Sequence, residues 1–294
     1  MDSILTARGL TKKYSKFTMG ELDFDIPKGF ATALIGANGA GKTTLIDTLC
    51  GVIHSSSGEV TYFGGGKDID EAEIRERIGY CASTAFFPQG WKAKDIAISM
   101  ELAYRSFDRK KFSELCEKLE VDTEFTKKAK PMYKQSDGNR MRTSLAAVFA
   151  RNTDLLILDE PGSSLDPLMR DRLCDRMREY LDDGDGEKSI IFSTHNIADM
   201  ENAADYAIFM DNGKIIEQGF VDDLKEKYMI ARGDAKDYDS AKHLLMSHSK
   251  NRTVFDGLTL AENAEELAKL GVDSEAPTLQ QLSIGLLKYA EEIR

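Results

Sequence analysis

The chain has 294 residues, enough to bury one large core with a smaller unit beside it, and its apolar fraction of 41% is that of an ordinary globular protein. Its 50 acidic side chains against 39 basic ones give a formal net charge of -11, which leaves no basic footprint for wrapping a phosphate backbone, so no nucleic-acid partner is expected. No window approaches the roughly 18 consecutive apolar residues of a membrane span and the N-terminus lacks the pattern of a signal peptide, so the chain is expected to stay in the cytosol.

The first thirty residues alternate as strands do and turn at Ile26-Pro27-Lys28-Gly29. A fully apolar strand, Ala31 to Ile35, runs into a glycine-rich loop and a helix from about Lys42 to Cys50. Strand signals return at Gly58 to Phe63 and end at Gly64-Gly65-Gly66. From about Ala93 to Leu119 the pattern is helical, with Ile96, Met100, Phe112, Leu115 and Leu119 on one face, and a second helix begins near Gly138. The apolar strand Leu155 to Leu158, a helix from about Met169 to Leu181 and the buried strand Ser189 to Phe192 follow. Tyr206 to Met210 and Lys214 to Glu217 predict a hairpin around Asp211-Asn212-Gly213. Strands alternating with helices imply a parallel-sheet core of α/β class. After Tyr228 short strands (Met229 to Arg232, Thr253 to Phe255) alternate with helices (Ala264 to Leu270, Thr278 to Tyr289), which predicts a small α+β appendage over 229–294. The four cysteines, Cys50, Cys81, Cys116 and Cys174, form no CxxC pair and are expected to be reduced thiols packed as small hydrophobes.

Gly36-Ala37-Asn38-Gly39-Ala40-Gly41-Lys42-Thr43 matches G-x-x-x-x-G-K-[ST] in full, after a buried strand and at the start of a helix. Glycines let backbone N–H groups turn inward around a phosphate, and the helix N-terminus adds the positive end of its dipole. Nucleotide contacts are expected from Asn38, Gly39, Ala40, Gly41, Lys42, Thr43 and Thr44, with Lys42 on the β- and γ-phosphates and the Thr43 hydroxyl on Mg²⁺. The strand Leu155-Leu156-Ile157-Leu158 ends in Asp159 and Glu160. At that strand end Asp159 would bind Mg²⁺ through water, and Glu160 would orient or deprotonate an attacking water. A lone histidine is commonly a packed or surface residue. His195, however, follows the strand Ile190-Ile191-Phe192, and a strand beside that of Asp159 would deliver it to the γ-phosphate. His54, His243 and His248 have no such setting.

These elements in this order resemble the ABC (ATP-binding cassette) ATPases from about Ile4 to Tyr228. The resemblance implies a cassette over 1–228 with a parallel-sheet core, an antiparallel β subdomain and a helical subdomain at about 84–150. It implies ATP and Mg²⁺ as cofactors, Ser163-Ser164-Leu165-Asp166 as the D-loop, and His195 as the switch histidine. Two such domains sandwich two ATP molecules, each held by one phosphate loop and the other domain's signature segment. A homo- or heterodimer of ATP-binding subunits is therefore implied. So is an integral-membrane permease that would hold the chain at the cytoplasmic face of the membrane. Tyr14, in Lys12-Lys13-Tyr14, would stack on adenine by this likeness; as a residue it also reads as a partly exposed strand aromatic. Arg105-Ser106-Phe107-Asp108, the block from Asn152 to Leu165, and Pro277-Thr278-Leu279 look like cassettes serving two-component bacterial exporters, including those for small peptides and antibiotics.

Two positions depart from the family pattern. The signature, normally close to L-S-G-G-Q, reads Gln135-Ser136-Asp137-Gly138-Asn139, which keeps Ser136 and Gly138 for the partner's γ-phosphate but sets a carboxylate between them. The glutamine expected after Ile78-Gly79-Tyr80 is replaced by Ser83, a candidate metal contact, and Gln89 comes six residues later. Weaker metal coordination or looser coupling is expected, with one unequal site of a heterodimer as the setting. Phe86-Phe87-Pro88-Gln89-Gly90-Trp91 is either an aromatic anchor of the helical subdomain or a docking groove for a permease helix. An alternative reading is a soluble ABC-type ATPase acting as a nucleotide switch on ribosomes or DNA. Such proteins usually carry two cassettes, long coiled coils or basic extensions. A kinase would share the loop but has no use for the signature or for Ser163 to Asp166.

Overall fold

The computed structural model describes residues 2–65, 69–84, 87–121 and 130–294, so Gly66 and Phe86 lie outside the described residues. In chain order the first half reads β1 (Ser3–Lys13), β2 (Thr18–Pro27), β3 (Ala31–Ile35), α1 (Lys42–Leu49), β4 (Ser57–Tyr62), α2 (Glu71–Arg77), β5 (Ile78–Cys81), α3 (Ala93–Ala103), α4 (Arg109–Lys118) and α5 (Asp137–Phe149). Then follow β6 (Leu155–Leu158), α6 (Pro167–Asp182), β7 (Ser189–Thr194), β8 (Tyr206–Asp211), β9 (Lys214–Phe220) and α7 (Val221–Lys227).

The most apolar strands are the central ones. β3, β6 and β7 are buried at every position, as continuous apolar runs covered on both faces must be. They lie in a six-stranded sheet of order β5-β6-β7-β3-β8-β9, parallel except for the edge strand β9. Side chains alternate between two cores. Ala33, Leu158 and Phe192 face the one shared with α5 and α6, while Leu34, Ile157 and Ile191 face one shared with α1 and the first strands. Those first strands form a separate antiparallel sheet of order β2-β1-β4. This is the P-loop cassette architecture expected from the sequence. The β8–β9 hairpin turns at Asn212 and Gly213, both at positive φ (45° and 77°), as a tight turn of this sequence requires.

The helix expected over Ala93 to Leu119 is two helices. Phe107 is buried and bridges to Arg151, and the Asp108 carboxylate accepts from Lys110 N–H and Lys111 N–H at 2.8 and 3.0 Å, capping a new helix there. Phe87 and Trp91 stack with ring centroids 6.4 Å apart and pack, partly buried, on the main core.

The C-terminal residues build a four-stranded antiparallel sheet from β10 (Tyr228–Asp234), β11 (Ser247–Lys250), β12 (Val254–Leu260) and β13 (Asp273–Glu275), interleaved with α8 (Tyr238–Ala241) and α9 (Ala264–Lys269) and followed by α10 (Leu279–Glu292). Its order, β11-β12-β10-β13, with the succession βαββαβ, is that of a split βαβ unit. Ala241 and Leu267 of the two short helices pack with Ala231 and Phe255 on one face. α10 covers the other. Leu279, Leu282 and Leu286 join Ile230 and Leu258 to the same cluster as Phe192 and Phe209, so this helix is part of the main core. Thr278 and Gln281 form a capping box at its start, and the Leu279 N–H donates to Glu201 Oε1 at 2.9 Å.

At Gly285 α10 lies close against the sheet, since a Cβ there would stand 2.8 Å from Leu258 Cβ. Gly285→Val is therefore expected to destabilise the protein by about 1–3 kcal/mol through overpacking, while Ala at the exposed neighbour Ile284 stays within about 0.5 kcal/mol. Thermal melting of the two variants checks this.

Candidate active site

β3 ends at Ile35, and the chain turns through Gly36 to Gly41 before α1 begins at Lys42. Gly41 has a φ of 104°, which residues with a side chain avoid, and a Cβ there would meet Phe17 Cζ at 2.9 Å. Lys42 follows directly and is only 6% exposed. Its Nζ donates to the Gly36 carbonyl at 2.8 Å and the Ala37 carbonyl at 3.2 Å, and stands 3.5 Å from Glu160 Oε1.

The parallel register carries the other groups to the same place. Leu158 pairs with Phe192, so Asp159 and Ser193 continue side by side, and Ile35 pairs with Thr194, one residue before His195. Asp159 is fully buried, and a buried carboxylate is costly unless hydrogen-bonded. Two hydroxyls serve it: Thr43 Oγ1 donates to Oδ2 at 3.0 Å and Ser193 Oγ to Oδ1 at 2.5 Å. Glu160 takes a left-handed backbone, φ 49°, and its N–H donates to Ser193 Oγ at 2.9 Å. The Glu160 carboxylate lies between two cationic or polar partners, with Lys42 on Oε1 and His195 Nδ1 at 2.7 Å from Oε2. Beside them burial pushes the Cys81 thiol up to about 12, with Asp159 contributing, so it remains a neutral packing group.

An open recess of about 550 Å³ lies in front of these groups. Asn38, Gly39, Gly41, Lys42, Thr43 and Thr44 line one side, and Ser83, Glu160 and His195 line the other. Ala40 is buried in the loop, and its carbonyl accepts from Gly213 N–H at 2.8 Å instead of facing the recess. Tyr14 is not brought here. It is 47% exposed, its N–H bonds the Phe17 carbonyl, and its ring receives the Lys12 ammonium 5.4 Å from the centroid. Phe17, from the turn between β1 and β2, takes the place at the phosphate loop. The sequence held only a weak sign of it, an aromatic residue inside the polar turn Ser15-Lys16-Phe17-Thr18. Ser193 carries no motif signal in the sequence.

Ser136 and Gly138 stand apart from this recess. Ser136 caps α5, its Oγ accepting from Asn139 N–H at 3.2 Å, and Gly138 lies against the Ser164 carbonyl. Asp137 is paired with Arg140, so the odd carboxylate of the signature has a local counter-charge. A second recess of about 500 Å³ adjoins the first, lined by Ser83, Phe87, Gln89, Asp137, Arg140 and Ser164. Gln89 faces this second space and not the phosphate loop.

The family profile described as ABC transporter matches residues 19–163. The chain is 31% identical over 236 residues to the energy-coupling factor transporter ATP-binding protein of Methanospirillum hungatei, with 76% of this chain and 56% of that protein covered. It is 30% identical over 229 residues to the ABC transporter ATP-binding protein YxlF of Bacillus subtilis, covering 76% and 73% of the two chains. A solved ATP-binding subunit of an ABC transporter, at 24% identity, superposes with a TM-score of 0.66 over 76% of this chain and 92% of that one. The chain spans 55–58% of the length of several curated relatives it matches. Among the described residues no helix is long and apolar enough to cross a membrane.

Phe17 lines the phosphate-loop recess and Tyr14 does not. Phe17→Ala is expected to weaken ATP binding roughly tenfold, the loss of one base-stacking contact, and Tyr14→Ala to leave it within about twofold. Titration with a fluorescent ATP analogue reads both.

Proposed function

Because this chain belongs to the ATP-binding proteins of ABC transporters, we propose that it binds and hydrolyses ATP and powers a transporter from the cytoplasmic face of a membrane. The observation that carries this reading is the convergence of Lys42, Glu160 and His195, separated by up to 153 positions in sequence, on one recess at a glycine-rich loop, with Asp159 buried behind it and bonded to Thr43.

In the proposed reaction a water oxygen bonds to the γ-phosphorus of ATP and the bond from that phosphorus to the β,γ-bridging oxygen breaks, releasing ADP and phosphate. Glu160 orients the water and accepts its proton. His195 holds the Glu160 carboxylate and faces the terminal phosphate. Lys42 exchanges its carbonyl partners for phosphate oxygens, a move that sets its charge against the transferred group. Thr43 Oγ1 and Asp159 Oδ2 are hard oxygen donors 3.0 Å apart, the kind Mg²⁺ takes together with phosphates and waters, and Ser83 is a further oxygen at the rim. Bound Mg²⁺ would neutralise charge on the β- and γ-phosphates. Asp159 would reach it through water, and Thr43 directly.

The position of Ser136 and Gly138 away from this recess supports the second half of the proposal. They face a second ATP-binding subunit and complete its nucleotide site, in a homodimer or, given Asp137 in the signature, a heterodimer with unequal sites. The integral-membrane permease docks at the recess beside Phe87 and Trp91. Export, of peptides or antibiotics among other cargo, is the direction we propose. It rests on the sequence likeness of Arg105 to Asp108 and of Asn152 to Leu165 to exporter cassettes, and ATP-driven uptake into everted vesicles tests it.

Glu160→Gln is expected to lower kcat about 100-fold or more while ATP still binds. Phosphate release at the wild-type rate would remove Glu160 from its role. At the docking recess, Trp91→Ala should reduce recovery of the permease from detergent-solubilised membranes while ATP titration stays unchanged. Undiminished recovery rules that recess out.

A further inference from the structure

Ser193 has no part in the motifs that identify the site, yet its single hydroxyl touches both carboxylate-bearing residues of the catalytic strand end. It lies in β7, fully buried, one position past the Phe192–Leu158 pair. Its proton goes to Asp159 Oδ1 at 2.5 Å, and its lone pair accepts the Glu160 N–H at 2.9 Å. The chain of bonds runs Glu160 N–H to Ser193 O–H to Asp159 Oδ1.

Two constraints meet at this oxygen. Glu160 has a φ of 49°, a left-handed backbone that L-residues with long side chains adopt only when the surroundings hold it. The Ser193 oxygen is the acceptor that fixes its N–H. Asp159 has one hydroxyl on each carboxylate oxygen, Thr43 on Oδ2 and Ser193 on Oδ1. Thr43 is the residue the phosphate-loop motif assigns to the metal, so its bond to Asp159 is the one that must yield. Ser193 has no other assignment, and its neighbours on both sides are β3 and β6 backbone. It is the donor that stays.

We infer that Ser193 is a positioning residue that fixes the plane of the Asp159 carboxylate and the backbone of Glu160 together, so that metal and water sites keep one relative geometry. This deepens the ATPase reading and rests on it. Partners of this outer kind typically change metal affinity or activity by about 10–100-fold when removed. A group that only filled space would instead lower stability and metal-free nucleotide binding, leaving the metal dependence alone.

The test uses the full chain with Ser193→Ala and with Ser193→Thr, which keeps the hydroxyl in a strand-favouring residue. The Ala variant should need about tenfold more Mg²⁺ for half-maximal ATPase and bind Mn²⁺ about tenfold more weakly in the presence of ATP, read by electron paramagnetic resonance. Its kcat should fall about 10–100-fold, while ATP affinity in EDTA stays within twofold and shows that the fold is intact. The Thr variant should recover most of the Mn²⁺ affinity. Equal Mn²⁺ affinity in Ala variant and wild type overturns the inference, as does an Ala variant that loses metal-free ATP binding to the same degree. Wild-type protein that binds Mn²⁺·ATP tightly but releases no phosphate would sink the hydrolysis reading instead, and the Mn²⁺ comparison would still judge Ser193.

Discussion

The site depends on the parallel alignment of three buried strands. β3, β7 and β6 lie side by side in register, so their ends fall on one line at one edge of the sheet. What leaves those ends is the phosphate loop, the Ser193 to His195 segment, and the Asp159-Glu160 pair. Side chains more than a hundred residues apart are thereby held within hydrogen-bond reach without any direct covalent or local constraint. Every apolar residue along the three strands contributes to that placement, because a one-residue slip would turn each side chain to the opposite core.

The electrostatics of that edge follow from the same alignment. Two carboxylates and one ammonium are drawn out of water together, and each has partners. Lys42 is held by two loop carbonyls and Glu160, Asp159 by two hydroxyls, and Glu160 by Lys42 and His195. An unpaired charge at this depth would be far more costly than any of these contacts. The carboxylate of Glu160 occupies Lys42 where an incoming terminal phosphate would compete for it. On the proposed reading, nucleotide binding replaces the carbonyl and carboxylate partners of Lys42 with phosphate oxygens.

The sequence made the centre of the site legible and its periphery much less so. Gly36 to Thr43 and Leu155 to Glu160 could be read because their chemistry demands particular residues at particular spacings, between apolar runs that can only be buried strands. The structure sets Phe17 and not Tyr14 at the recess, a choice between two aromatics three residues apart that periodicity does not make in a turn. The long helix over 93–119 failed for a tertiary reason, the Phe107 bridge to Arg151. β11 and β13 read Ser247-His248-Ser249-Lys250 and Asp273-Ser274-Glu275, edge strands too polar and short to signal themselves. Ser193 was hidden for another reason: a serine acquires its meaning only from the two partners that folding brings to it.

The final helix has a consequence for how the chain can be made. Leu279, Leu282 and Leu286 fill the same apolar cluster as Phe192 and Phe209, which were synthesised some seventy to ninety positions earlier. That flank of the core is therefore uncovered until α10 has been made, and vectorial folding from the N-terminus stops short of the finished cluster. During that interval the nascent chain displays a sticky groove to everything around it, and chaperones have their opportunity there. α10 closes that cluster as a keystone closes an arch.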